Sequence, residues 1–145
     1  MTTSTGYSKK PLAEKMGIKS GMRIFLFDAP EYYATHTLLG LPPNVEIATT
    51  LDGQFDLIQF FAPNSITLTA NFDVIKHHLT PNGSLWISWI KLSAGVATNL
   101  TENGVRQIGL DGGLVDVKII AVDAKWSALK FVYRVTDRVS QSQPE

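Results

Sequence analysis

Three runs of this chain, Met22-Arg23-Ile24-Phe25-Leu26-Phe27, Phe55-Asp56-Leu57-Ile58-Gln59-Phe60-Phe61 and Ser84-Leu85-Trp86-Ile87-Ser88-Trp89-Ile90, are nearly continuously apolar. A strand with one wet face alternates, whereas a continuous run needs apolar cover on both faces. The chain must therefore lay a sheet between two covering layers, and the segments between the runs have to supply them. Residues 31–39 predict a helix that Gly40 and Pro42-Pro43 stop, and Val45-Glu46-Ile47-Ala48 then reads as a short strand. After the Asp52-Gly53 turn and the second run, Asn64 or Ser65 can cap a helix. On it Leu68, Phe72, Ile75 and Leu79 recur at steps of four, three and four, making one apolar stripe. Pro81-Asn82-Gly83 ends that helix and launches the third run.

Strand, helix and strand in this order, joined by right-handed crossovers, give a parallel sheet covered on both faces. The ends of the chain add to this core. Pro11 opens a short docking helix with Leu12 and Met16 on one face and Gly17 closing it. Asn99 with Glu102 resembles a capping box for a helix that carries Val105 and Ile108 and stops at Gly112-Gly113. Residues 114–122 are rich in β-branched side chains, and Leu129, Phe131 and Tyr133 alternate with Lys130, Val132 and Arg134. Too few residues separate these stretches for a parallel crossover, so they pair as an antiparallel hairpin. The fold class is α/β: a three-layer, Rossmann-like arrangement with a mostly parallel sheet of about six strands and an antiparallel C-terminal hairpin. One domain spans residues 1–138, and residues 139–145 form a polar tail.

Composition narrows the function classes. A chain of 145 residues with 44% hydrophobic and 18% charged residues suits one soluble domain. Thirteen basic and thirteen acidic residues cancel, which argues against nucleic acid and against an anionic membrane surface as general partners. With no cysteine there is no disulfide, thiolate nucleophile or cysteine metal site. The polar start lacks the apolar core of a signal peptide, and no run approaches the length of a membrane helix, so the expectation is a cytoplasmic protein.

The Phe55-Asp56-Leu57-Ile58 strand, the Leu79-Thr80-Pro81-Asn82-Gly83-Ser84-Leu85 turn, the Gly112-Gly113-Leu114-Val115 strand start and the closing hairpin resemble the back half of a class I methyltransferase. That similarity covers residues 55–135. Over nearly the whole chain, Gly6-Tyr7-Ser8-Lys9-Lys10-Pro11-Leu12, Gly17-Ile18-Lys19-Ser20-Gly21, Trp86-Ile87-Ser88-Trp89 and Leu114-Val115-Asp116-Val117-Lys118 also resemble a small bacterial family known as domain of unknown function 3052, which implies no activity. The methyltransferase resemblance implies S-adenosylmethionine held by a glycine-rich turn after the first strand and by an acid at the end of the next. Here that turn is Asp28-Ala29-Pro30-Glu31-Tyr32. Its side chains keep the backbone away from a ligand, and Pro30 removes a donor. Residues 29–54 leave room for one helix and one strand, not two strand-helix repeats, and Asp52 reads as a turn residue. The cofactor is therefore left open, with the residues arguing against S-adenosylmethionine bound in the family's manner.

Ligands of open parallel sheets bind beyond the carboxyl ends of the strands, where the strand order reverses. That rule nominates Asp28, Pro30 and Tyr32 after the first strand, Asn64 after the second, Trp89 and Lys91 after the third, and Asn99 in the loop beyond. Asp28 can accept hydrogen bonds from a ligand or cap the helix at Glu31. Trp86 and Trp89, three apart in a strand, point to opposite faces and make no common stacking platform. His77-His78 diverge on a helix and lack a third ligand, so no metal site is assigned. His36 has no evident partner. Ser88 and Ser93 lack a nucleophile elbow, so no catalytic residue is assigned. Lys9, Lys10, Lys15, Lys19 and Arg23 make a basic front end, which is either a solvated face or a contact for phosphate or an acidic partner. The leading reading is a non-catalytic methyltransferase-like binding or regulatory module for a protein or small molecule. An enzyme with S-adenosylmethionine or a nucleotide in an atypical rim pocket is the alternative, and a homodimer through the hairpin edge is a third.

Overall fold

A computed structural model of the chain describes residues 10–96 and 98–142, with side chains to residue 138. Lys9 and the Gly6-Tyr7-Ser8 part of the N-terminal motif lie outside the described residues. Six strands form one sheet: β1 (Arg23–Phe27), β2 (Glu46–Ala48), β3 (Phe55–Phe61), β4 (Leu79–Ile90), β5 (Leu114–Ala121) and β6 (Trp126–Tyr133). Their order is β2-β1-β3-β4-β6-β5. The first four are parallel, while β6 runs antiparallel to both β4 and β5. This is the α/β, Rossmann-like architecture that the apolar runs and the closing hairpin predict.

The continuous runs become strands covered on both sides. Phe55, Ile58, Phe60, Leu85, Ile87 and Trp89 face α2 (Ser65–Lys76) and α3 (Glu102–Asp111). Leu57, Phe61 and Trp86 face the opposite layer, built from α1 (Leu12–Met16) and the segment after β1. Each large side chain so buried contributes about 1.5–3 kcal/mol of transfer free energy. Trp86 and Trp89 accordingly lie in different cores, as alternation requires. On α3, a Cβ at Gly109 would run into the Phe131 ring, so glycine lets the helix lie close against β6.

Several local expectations are corrected. The helix expected over residues 31–39 is a five-residue π-helical turn, Tyr33–Thr37, closed by the Leu38 N–H on the Tyr33 carbonyl at 2.8 Å. The wider winding allows Tyr33 to be fully buried against the sheet while Ala34, Thr35 and His36 stay exposed. α2 ends at Lys76, and Leu79 already belongs to β4, pairing with Phe55 before a register shift brings Ser84 opposite Leu57. The stripe residue Leu79 is buried as expected, but from a strand. α3 is capped by Thr101, whose Oγ1 accepts the Gly104 N–H at 3.1 Å, and not by Asn99. A fourth helix, α4 (Val135–Ser142), occupies residues that the sequence pattern assigns no element, and it reaches into the expected polar tail.

One buried polar chain ties the π-helical turn to the sheet. The Tyr33 hydroxyl donates to Gln59 Oε1 at 2.6 Å, and Gln59 Nε2 donates to Ser88 Oγ at 2.9 Å. All three residues are fully buried, so breaking one link leaves a desolvated amide without a partner. Burial pushes the Tyr33 phenol well above its ordinary value. A raised folded-state value means that this contribution is intact below the unfolded value of about 10 and is lost as pH rises through the folded one. Tyr33→Phe is expected to cost about 1–3 kcal/mol at neutral pH and to flatten the fall of stability above pH 10. Urea unfolding at neutral and alkaline pH measures both.

Candidate functional site

The chain leaves β1 for β2 on one side and returns to β3 on the other, so the strand order reverses between β1 and β3. The carboxyl ends of β1, β3 and β4 form the rim beside that reversal, where open α/β sheets place ligands.

At the end of β1, Asp28 has a φ of 58°, in the left-handed region. Aspartate visits this region more readily than most residues but still at a cost. Its carboxylate is exposed, and among the described residues it has no hydrogen bond or ion pair. The capping alternative fails, because Tyr32 holds the N-cap position of the π-helical turn and no side chain caps it. The turn thus keeps the backbone geometry that a glycine favours while carrying a free carboxylate. Pro30 has no N–H to offer, and its carbonyl accepts the Tyr33 N–H at 3.0 Å. At the end of β2, where the family resemblance implies an acid, stand Thr49 and Thr50.

Beyond Asp28 the loop crosses to the hairpin. The Tyr32 hydroxyl donates to Asp123 Oδ2 at 3.4 Å, and Asp123 Oδ1 accepts the N–H groups of Lys125 and Trp126 at 2.8 and 2.9 Å. Partial burial, then the Asp123 charge, raise the Tyr32 phenol above its ordinary value. Underneath, edge-on rings run from Tyr33 to Phe61 at 4.7 Å and from Phe61 to Trp126 at 5.0 Å. Trp126 Nε1 is buried and lies near enough to the Tyr32 hydroxyl to oppose the rise in its pKa, but no hydrogen bond of good geometry forms among the described residues. Such a donor costs about 1–3 kcal/mol unless an acceptor reaches it.

The other nominated residues divide between scaffold and cleft. Asn64 caps α2 through the Thr67 N–H at 2.8 Å. Asn99 accepts the Ser65 N–H at 2.9 Å and donates to Ser65 Oγ at 3.0 Å, clasping the loop after β4 to the loop after β3. Both side chains are therefore occupied within the scaffold. Lys91 contributes its backbone N–H to the Lys125 carbonyl at 2.8 Å. Trp89 forms one wall of a cleft of about 320 Å³ lined also by Leu92, Val96, Thr98, Leu100 and Glu102. Leu92 is 95% exposed, unusual for a leucine beside an apolar cleft. The rim thus carries an exposed acid at the reversal point, an aromatic bridge toward the hairpin, and an apolar cleft beyond β4. It does not join Asp28, Asn64 and Asn99 in one hydrogen-bonded group.

Asp123 and Trp126 were missed as rim residues because a short hairpin loop explains them without a ligand. The signal was an aspartate opening a four-residue turn before a tryptophan at a strand start. The histidines lie elsewhere: His77 Nδ1 donates to the Asp73 carbonyl, His78 Nδ1 to the Gly53 carbonyl, both by the amino-terminal end of β4, and His36 meets Thr35. Among the described residues, no group of three His, Asp or Glu side chains could hold a metal ion, and no helix is long and apolar enough to cross a membrane.

Solved structures share this architecture. A putative type 11 methyltransferase from Sulfolobus solfataricus superposes with a TM-score of 0.60 at 12% identity, over 86% of this chain and 90% of that one. The ribosomal protein L11 methylase of Lactobacillus delbrueckii subsp. bulgaricus gives 0.52 at 13% identity, over 85% and 75%. The magnesium protoporphyrin IX methyltransferase of Synechocystis PCC 6803, with bound SAH, gives 0.50 at 13%, over 85% and 78%. The chain has the Rossmann-like α/β fold of class I methyltransferases. No protein-family model and no curated protein matches it, so the resemblance to domain of unknown function 3052 finds no support.

The left-handed turn gives a direct test of Asp28. Asp28→Gly removes the Cβ strain at a φ that glycine adopts freely and is expected to stabilise the protein by about 0.5–1 kcal/mol. Denaturant midpoints of the two proteins measure it, and a loss of stability would mean that the carboxylate holds the loop.

Proposed function

We propose that the chain is a non-catalytic, methyltransferase-like binding module whose ligand occupies the carboxyl rim of the sheet. The observation that carries this reading is the end of β1, where a left-handed Asp28 is followed by Ala29 and Pro30. A cofactor held in the family's manner needs backbone approach at that turn, and here a carboxylate and a proline ring stand in the way. The threonines after β2 supply no carboxylate for a ribose, which fits the same reading. What the rim offers instead is the Trp89 cleft, mostly apolar, with Thr98, Thr101 and Glu102 as its polar points. That lining suits a small, largely apolar ligand or an apolar side chain of a partner protein.

A second reading has its own support. The turn at Asp28 retains the glycine-like backbone, and the magnesium protoporphyrin IX methyltransferase of the same fold is seen with bound SAH. This reading makes the chain an enzyme that takes S-adenosylmethionine or a nucleotide in an atypical pocket, with Asp28 accepting hydrogen bonds from it.

Isothermal titration separates the two. The binding-module reading expects no saturable heat with S-adenosylmethionine or its demethylated product at millimolar concentration. It also expects the apolar probe 1-anilinonaphthalene-8-sulfonate to bind with a fluorescence rise that Leu92→Asp reduces severalfold. Saturable S-adenosylmethionine binding that Asp28→Ala abolishes would establish the second reading in its place.

A further inference from the structure

The hairpin contains a like-charged pair that the fold goes out of its way to make. A β-bulge at Val117 shifts the register so that Asp116 lies opposite Phe131 and Lys118 lies opposite Lys130. In an unbroken register Val117 would face Lys130, and Lys118 would face Leu129 on the α3 side of the sheet. The bulge therefore moves Lys118 to the other face, beside Lys130, the cross-strand neighbour of Trp86 in β4. Two like charges directly opposite in a sheet are destabilising, and bulges commonly re-aim a side chain at a functional place.

The segment around α1 adds more positive charge. The Lys130 ammonium lies under the turn that closes α1, where a Cβ on Gly17 would be 3.9 Å from Nζ. Lys118 Nζ donates to the Lys15 carbonyl at 2.8 Å, which uses one of its three protons. Beside them is a groove of about 310 Å³ lined by Lys10, Glu14, Lys15, Lys118 and the apolar residues 119–121. Burial, then the charges of Lys118 and Lys19, lower the pKa of Lys130. Among the described residues, Lys15, Lys19, Lys118 and Lys130 form no ion pair, whereas Arg23, Arg106 and Arg134 each face a carboxylate. In a chain of zero net charge, four lysines without a carboxylate partner are thus gathered at one place, while Lys76, Lys91 and Lys125 lie elsewhere.

We infer that this lysine groove between α1 and the bulged hairpin is a binding site for a compact polyphosphate anion, such as inorganic tripolyphosphate or the phosphate tail of a nucleotide. Lysine ammoniums act as point charges that take phosphate oxygens without a fixed fork geometry. The groove lining has no aromatic ring to stack a base, so it reads phosphates and not the group attached to them. Its place on the hairpin separates it from the strand-end rim, and it does not rest on the function proposed there.

Titration calorimetry with inorganic tripolyphosphate and with ATP at low ionic strength tests this. Both are expected to bind with similar affinity and to compete, with binding weakened as salt is added. The exposed Lys118→Gln and the half-buried Lys130→Met should each weaken tripolyphosphate binding about tenfold or more. Lys130→Met should also raise the melting temperature by about 2–4 °C, because it removes a like-charged, partly desolvated partner. Absence of binding to tripolyphosphate, or binding unchanged in Lys118→Gln and Lys130→Met, would overturn the inference. ATP binding without tripolyphosphate binding would do the same, since it would place recognition in the base.

Discussion

Burying β3 on both faces is the constraint from which the other features of this fold follow. Phe55, Ile58 and Phe60 fill the core under α2 and α3, while Leu57 and Phe61 fill the opposite core. Between them Gln59 is fully buried, and an amide there must find partners in a layer that is otherwise apolar. Tyr33 and Ser88 supply them. The bond to Tyr33 fixes how the chain leaves β1, because the π-helical turn must place that phenol over the centre of β3. The geometry of the rim is thus set from inside the sheet, and the loop from Asp28 to Tyr32 is stretched between the end of β1 and a buried anchor.

That anchoring also shapes the edge of the sheet next to β1. A short connection between β1 and β3 holds one three-residue strand and one π-helical turn, so the sheet on that side ends early. With a short sheet on that side, few strand ends face the reversal point, and β2 gives way to Thr49 and Thr50, without a carboxylate. The rim's apolar volume lies instead toward the Trp89 cleft, where the loops after β3 and β4 are clasped by Asn99 and Ser65. The short β1–β3 connection and the position of the concave surface belong together.

The main architecture was legible because it rests on local chemistry. Continuous apolar runs predict β1, β3 and β4, the spacing of Leu68, Phe72 and Ile75 predicts α2 with a cap at Asn64 or Ser65, of which the structure uses Asn64, and the short link between residues 122 and 126 requires a hairpin. What escaped was decided by tertiary contacts. The π-helical winding depends on where Tyr33 must reach. Leu79 is taken into β4 by pairing with Phe55, and Thr101 caps α3 because Asn99 is committed to Ser65. For the site, topology alone puts Asp28 at the end of β1 and Trp89 and Lys91 at the end of β4, but the approach of Asp123 and Trp126 to the same loop depends on a contact across 91 positions of sequence. The bulge at Val117 was invisible for a similar reason, since alternation in residues 114–122 is blurred by β-branched residues on both faces.

Charge is arranged differently from apolar surface in this molecule. Arg23, Arg106 and Arg134 are placed where carboxylates meet them: Arg106, for example, holds Glu102 at 2.7 Å and Asp116 at 2.8 Å, tying α3 to β5. Such pairs contribute little apiece when exposed, yet they leave those regions electrically quiet. The lysines are treated otherwise. Asp116 is directed toward α3 and Lys118 toward α1 by the single bulged residue between them, so one register shift both completes an ion pair on one face and concentrates positive charge on the other. A neutral net charge therefore says little about this surface, because the same irregularity in β5 that neutralises one side polarises the other.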